Sequence, residues 1–114
     1  MTIQIKSIYA TPDETDGLRI LMDRHWPRGM THERAALDEW RPELAPSATL
    51  AKQLKDDGDF AAFTTTYDAE LVASEVGRDL LDVVGNQPLT LLYAARDPER
   101  NHAAVLRDHL MALQ

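Results

Sequence analysis

Two short segments of the chain concentrate the side chains whose chemistry could bind an anion or move a proton. The predicted ligand-binding residues are Asp23, Arg24, Trp26, Arg28, Arg96 and Asn101. Arginine binds phosphate or carboxylate through paired, charge-assisted hydrogen bonds, so we predict that Arg24, Arg28 and Arg96 clamp a small anion. Asp97 and His102 are the candidate catalytic acid and base, because both residue types exchange protons near neutral pH when suitably placed.

The arginines of these segments also have a purely structural interpretation. Arg24 and Arg28 could pair with Asp38, Glu39 or Asp97, and surface ion pairs of this kind contribute little beyond local order. A third interpretation makes the arginines buried rivets that tie loops to the core. It requires an internal carboxylate partner for each guanidinium.

The remaining candidates have structural alternatives as well. Asp97 precedes Pro98 and could be a turn residue, and Asn101 could be a helix N-cap. A lone histidine such as His102 is often satisfied locally. Trp26 and Trp40 could lie in or at the rim of the core, or an exposed indole beside arginine could stack on a base or sugar.

The overall charge argues against binding to bulk nucleic acid. Twelve Lys and Arg stand against nineteen Asp and Glu, for a net charge of -7, which repels a phosphate backbone. Residues 19–34 are the exception, with four arginines against two carboxylates. We therefore expect a small anionic ligand as the partner.

Several kinds of chemistry lack the residues they need. The chain has no cysteine, which excludes disulfides, thiolate nucleophiles and zinc sites with sulfur ligands. It also lacks the glycine-rich dinucleotide motif, the P-loop and the H-E-x-x-H motif. Asp97, Glu99 and His102 form a weak candidate for a metal site, since Glu99 would point away in most loop conformations. We predict no metal and no cofactor.

Hydropathy predicts neither a membrane span nor a secretory signal. The longest patterned apolar stretch, residues 89–95, is far shorter than the roughly 20 residues that cross a bilayer. The first residues read directly into an alternating strand and lack the apolar region of a signal peptide. We expect a cytoplasmic protein that does not enter a membrane.

The elements that must position the two segments indicate an α/β fold. Alternation predicts a strand near residues 3–8 and a second over 18–22, and the unbroken apolar run 89–95 predicts a central strand covered on both faces. The linking residues 11–17 are too short for a crossover helix, so the second strand should return antiparallel. We predict a small mixed three-layer sheet of about three strands, flanked by four to five helices, in one domain over 1–114.

Helical stripes identify the expected core. Thr31, Ser47, Ser74 and Asn101 are candidate N-caps, and Gly85 is a candidate C-cap. The side chains that should be largely buried are Phe60, Phe63, Tyr67, Leu71, Leu91, Leu106 and Leu110. If the strand over 18–22 and the central strand run parallel, the loops that follow them meet at one edge of the sheet. We then expect Asp23, Arg24, Arg28, Arg96 and His102 around one cleft.

Several strings in the sequence resemble a known family. They are residues 18–29, with D-R-x-W-P-R-G at 23–29, then 37–40 with 44–47, and 91–97 with 101–103. In this order they resemble the domain of unknown function 488 family, most closely its YeaO-like branch. The resemblance implies a small α/β protein with clustered motif residues and no established activity. Other branches carry cysteines near the positions of Tyr93 and Asn101. This chain has no cysteine, so the resemblance does not imply the thiol or metal chemistry of those branches.

Two functional hypotheses stay open at this point. The first is an enzyme that acts on an anionic or nucleotide-like small molecule through the arginine, aspartate, histidine and tryptophan pocket. The second is a non-catalytic module that binds a metabolite or a nucleic-acid end in the same pocket, for regulation.

Overall fold

Four parallel strands form one sheet in the computed structural model, which describes residues 2–114. The strands are β1 (Ile3–Ser7), β2 (Leu18–Leu21), β3 (Glu39–Trp40) and β4 (Leu89–Tyr93). Their order across the sheet is β1-β4-β2-β3, and each neighbouring pair runs parallel. All five residues of β4 are buried, as expected of a central strand.

Five α-helices within residues 2–114 complete the fold and confirm the α/β class. They are α1 (His32–Ala35), α2 (Ala48–Asp57), α3 (Phe60–Ser74), α4 (Val76–Val84) and α5 (His102–Ala112). Thr31, Ser47 and Asn101 cap α1, α2 and α5 as predicted. Ser74 instead ends α3, and Glu75 precedes α4. No helix within residues 2–114 combines the length and the apolar composition needed to cross a membrane.

The sheet differs from the prediction in strand direction and number. The prediction that the second strand runs antiparallel is wrong, because β4 lies between β1 and β2 and pairs in parallel with both. Two strands separated by a third are about 10 Å apart. The connection over residues 8–17 can reach about 33 Å when extended, so it returns along one strand length with only a single 3-10 turn (Glu14–Asp16) and no α-helix. The fourth strand, β3, is only two residues long.

The helical face of the sheet carries the main hydrophobic core. Alternate β4 residues Leu89, Leu91 and Tyr93 join side chains from α2 to α5 in one buried cluster. The side chains predicted to be buried are buried, except that Phe60 is only half-buried. On the other face Leu92 packs in a smaller cluster beneath α1. The central strand is therefore covered on both faces, but long helices cover only one of them.

The other face also holds a buried ion-pair network centred on Asp16. Its Oδ2 accepts hydrogen bonds from Nη1 of Arg19 (2.6 Å) and Nζ of Lys6 (3.1 Å). Arg19 also donates hydrogen bonds from Nη2 to the carbonyl of Ala35 (2.7 Å) and from Nε to the carbonyl of Ala36 (3.0 Å). Burial by itself raises the pKa of the Asp16 carboxyl, but its hydrogen bonds and the two cations outweigh burial and lower that pKa below its ordinary value. Arg19 thus rivets α1 to the sheet.

Candidate functional site

The two chemistry-bearing segments meet at the carboxyl edge of the sheet. Asp23 follows β2, and Ala94 follows the neighbouring parallel strand β4. The Oδ2 of Asp23 accepts a hydrogen bond from the Ala94 N–H (2.9 Å), and its Oδ1 accepts from Nε2 of His102 (2.5 Å). The side chains of Asp23 and His102 are 15% and 17% exposed. Both carboxylate oxygens are therefore used in joining β2, β4 and α5.

The start of α5 sets the position of His102. Asn101 accepts a hydrogen bond from the Ala104 N–H through Oδ1 (2.9 Å) and donates from Nδ2 to the carbonyl of Asp97 (2.8 Å). His102 is the first residue of the helix that Asn101 caps. With its proton on Nε2, facing Asp23, the ring leaves Nδ1 without a hydrogen-bond partner in the described chain. That nitrogen is available to a ligand.

A pocket of about 390 Å³ lies beside the Asp23–His102 pair. Its lining residues are Asp23, Arg24, His25, Ala45, Pro46, Ala48, Ala51 and His102. Arg24 donates one hydrogen bond, from Nη2 to the carbonyl of Pro46 (2.8 Å), and forms no ion pair within residues 2–114. The pocket thus has one free guanidinium, the Asp23–His102 pair and an apolar wall from the start of α2.

Contacts with α3 hold that apolar wall in place. Glu70 accepts from the Ser47 backbone N–H (2.9 Å) and from the Ser47 hydroxyl (2.6 Å), and the same hydroxyl oxygen accepts from the Leu50 N–H (3.2 Å). The Tyr67 hydroxyl donates to the carbonyl of Leu44, just before the wall. The sequence predicted the Ser47 cap and the burial of Tyr67, but neither the role of Glu70 nor the hydrogen bond of Tyr67, because no local pattern links α3 to the start of α2.

Several predicted site residues lie outside the pocket lining. Arg28 and Arg96 are exposed and contribute no lining atoms. Asp97 accepts from the N–H groups of Glu99 (2.9 Å) and Arg100 (3.0 Å), the geometry of a turn residue. These two backbone hydrogen bonds lower the pKa of the Asp97 carboxyl, and the one from Arg100 has the larger effect. Of the five residues expected around one cleft, the structure brings together Asp23, Arg24 and His102.

The arginines of the candidate site are not buried rivets. Among the described residues, neither Arg24, Arg28 nor Arg96 has a carboxylate within ion-pair distance. Their proposed partners are engaged elsewhere, since Asp38 accepts from the Arg19 N–H and Glu39 pairs with Arg41. The rivet interpretation holds for Arg19 alone of the four arginines in residues 19–34.

Trp26 lies in an aromatic cluster that also contains His32 and Trp40. Trp26 stacks on His32 with ring centroids 4.1 Å apart, and Trp40 meets it edge-on at 5.6 Å. The indole N–H of Trp26 donates to the carbonyl of Met30 (2.8 Å), which closes the loop. Across residues 2–114, no group of three or more histidine, aspartate or glutamate side chains is arranged to hold a metal ion.

The fold and the site define a small parallel α/β protein with a ligand-sized pocket beyond the carboxyl ends of its strands. A family model described as the inactive DUF488-N3 subclade matches residues 2–113, and the chain belongs to this family. The resemblance seen in the sequence is thereby confirmed.

Relatives of known sequence agree with this assignment. The uncharacterized protein YeaO of Escherichia coli K12 is 46% identical over 115 aligned positions, which cover 99% of this chain and 100% of the relative. Uncharacterized proteins of Mycobacterium tuberculosis H37Rv and Mycobacterium bovis are each 31% identical, over 91% of this chain and 89% of theirs. No solved structure shows significant similarity to the chain.

Proposed function

We propose that this protein is a non-catalytic module that binds a small anion in the pocket beside Asp23 and His102. The observation that carries the proposal is the Arg24 guanidinium, which lines the pocket, has no carboxylate partner in the described part of the chain and donates one of its N–H groups to the Pro46 carbonyl. A guanidinium with free donors beside an apolar wall suits a phosphate or carboxylate group.

The N-terminal end of α2, which forms the apolar wall, adds an electrostatic field that favours an anion in the pocket. Ala48, the first residue of α2, and His102, the first residue of α5, both line the pocket. The first backbone N–H groups of a helix lack intrahelical partners and favour negative charge. Glu70 offsets part of this effect at α2, since its carboxylate already occupies the Ser47 N–H. Arg24 therefore supplies the main positive charge of the proposed site.

The absence of a hydroxyl or thiol nucleophile in the pocket lining favours binding over catalysis. The lining residues include no serine, threonine or tyrosine, and the sequence has no cysteine. Both oxygens of Asp23 are occupied, which leaves no free carboxylate base beside Arg24. The description of the matching family as an inactive subclade supports the same conclusion.

Titration with inorganic phosphate by isothermal calorimetry tests the proposal. Arg24→Ala should weaken phosphate binding at least tenfold, because it removes the charged donors from the pocket. The matched control is Arg78→Ala, which removes an exposed guanidinium from α4 and makes the same change in net charge. Equal phosphate binding by wild type and Arg24→Ala would contradict the proposal.

One observation favours an enzyme as the second candidate. The Asp23–His102 pair has the arrangement in which a carboxylate orients an imidazole that exchanges protons through its other nitrogen. An enzyme would consume a phosphorylated small molecule, and His102→Asn would abolish that turnover. Phosphorus NMR of nucleoside phosphates incubated with the protein checks this, and turnover that depends on His102 would replace the binding proposal.

A further inference from the structure

The aromatic cluster of Trp26, His32 and Trp40 presents an exposed indole next to the pocket. Trp40 is 41% exposed, whereas large aromatic side chains are usually well covered. Its indole N–H donates to the backbone carbonyl of Asp23 (2.7 Å), and its ring meets Trp26 at 71°. The exposed ring is therefore held in a defined orientation.

The hydrogen bond from Trp40 links this surface to the proposed anion site. The carbonyl that it binds belongs to Asp23, whose carboxylate lines the pocket, and the next residue is Arg24. The ring of Trp40, in β3, is thus hydrogen-bonded to the residue that directly precedes Arg24 in the loop after β2. Because the ring is already ordered, stacking against it costs little conformational entropy.

The charges around this surface select the kind of aromatic ligand. Arg24 and Arg28 are exposed without acidic partners among the described residues, and His25 lies between them. A ligand that uses both features must carry a negative charge at one end and a flat ring at the other. The pocket volume of about 390 Å³ lies in the range of small-molecule sites.

We propose that the ligand is a nucleoside monophosphate whose phosphate binds Arg24 and whose base stacks on Trp40. This inference rests on the proposed anion-binding function and adds the ligand class. A nucleic-acid strand fits less well, because the chain carries a net charge of -7 and a strand would extend beyond the few basic residues of this loop.

Calorimetric titration with AMP, ribose 5-phosphate and inorganic phosphate separates the two proposals. AMP should bind about tenfold more tightly than ribose 5-phosphate, since stacking of one base on an aromatic ring accounts for a difference of that order. Trp40→Leu should reduce AMP binding to the level of ribose 5-phosphate and leave ribose 5-phosphate binding unchanged. Trp40→Phe keeps a ring and should retain most of the preference for AMP, which controls for loss of folding.

Each contrary outcome has a distinct meaning. Equal affinity for AMP and ribose 5-phosphate would overturn the stacking inference and leave the anion-binding proposal standing. Failure of all three compounds to bind would overturn both. A short oligo(dA) that binds more than tenfold tighter than AMP would overturn the monophosphate assignment in favour of a nucleic-acid strand.

Discussion

Replacing Asp16 with asparagine should destabilise the fold strongly, because it removes the negative charge at the centre of a buried network. The carboxylate accepts hydrogen bonds from Arg19 (2.6 Å), Lys6 (3.1 Å), Gln4 (3.2 Å) and the Asp13 N–H (3.0 Å). The asparagine side chain would keep an acceptor oxygen and a similar shape, so the change tests the charge and not the packing.

The magnitude follows from the burial of the two main partners. The side chains of Asp16 and Arg19 are 2% and 6% exposed, so Asp16→Asn would leave a guanidinium that water cannot reach. Breaking a buried pair by removing one partner costs about 3–5 kcal/mol. We expect about 3 kcal/mol, since Lys6 is 22% exposed and regains solvation. For a chain of this length the melting temperature should fall by about 12 °C.

Urea unfolding followed by far-ultraviolet circular dichroism measures this loss. The matched control is Asp56→Asn, which breaks an ion pair with Lys52 of similar length (2.7 Å) whose side chains are 60% and 76% exposed. We expect the control to change stability by at most about 0.5 kcal/mol. If Asp16→Asn cost no more than Asp56→Asn, the network would not be the stabilising element we infer.

Three further predictions concern acid, backbone strain and the core. The pKa of the Asp16 carboxyl is lowered in the folded state, so its stabilisation is present above the ordinary pKa of 3.8 and is lost as pH falls through the lower folded value. Urea unfolding between about pH 5 and pH 2 should therefore show a smaller decline for Asp16→Asn than for wild type, and parallel declines would contradict this. Gly17→Ala should cost at least about 2 kcal/mol more than Gly85→Ala in thermal melts. The two glycines have similar backbone angles (φ 67° and ψ -135° at Gly17, φ 62° and ψ -127° at Gly85), but of the two only Gly17 would place the new Cβ 2.2 Å from the Pro88 carbonyl oxygen, and equal losses would exclude that clash. Leu91→Ala should cost about 2–5 kcal/mol because Leu91 is fully buried, and a loss below about 1 kcal/mol would mean that β4 is not the centre of the core.

Local chemistry explains which elements the sequence predicts well. Ser47 and Asn101 are recognisable as N-caps because a cap needs only its own oxygen and an N–H three residues on. The stripe of Phe63, Tyr67 and Leu71 is recognisable because a helix face repeats every three or four residues. Phe60 belongs to the same spacing but begins α3, where the helix end exposes part of its ring.

The strand order depends on contacts that no local pattern records. A short link between two strands favours a hairpin, yet β4 enters between β1 and β2 from about seventy residues further along the chain. Strand β3 has no readable alternation, since it consists of Glu39 and Trp40, both of them exposed. Pairing energy from long-range neighbours, and not propensity, decides both features.

The direction in which a loop leaves its strand decides which predicted site residues reach the pocket. Asp23 and Arg24 follow the end of β2 so closely that parallel pairing with β4 is enough to place them. Arg28 lies farther along the same loop. There the Tyr9 hydroxyl donates a hydrogen bond to the Arg28 carbonyl (2.9 Å), which holds this part of the loop away from the pocket lining. Arg96 comes three residues after the end of β4, just before the turn at Asp97, and it too does not line the pocket. Spacing from a strand end therefore predicts a site well for one or two residues, and beyond that the tertiary contacts of the loop decide whether a guanidinium faces the ligand.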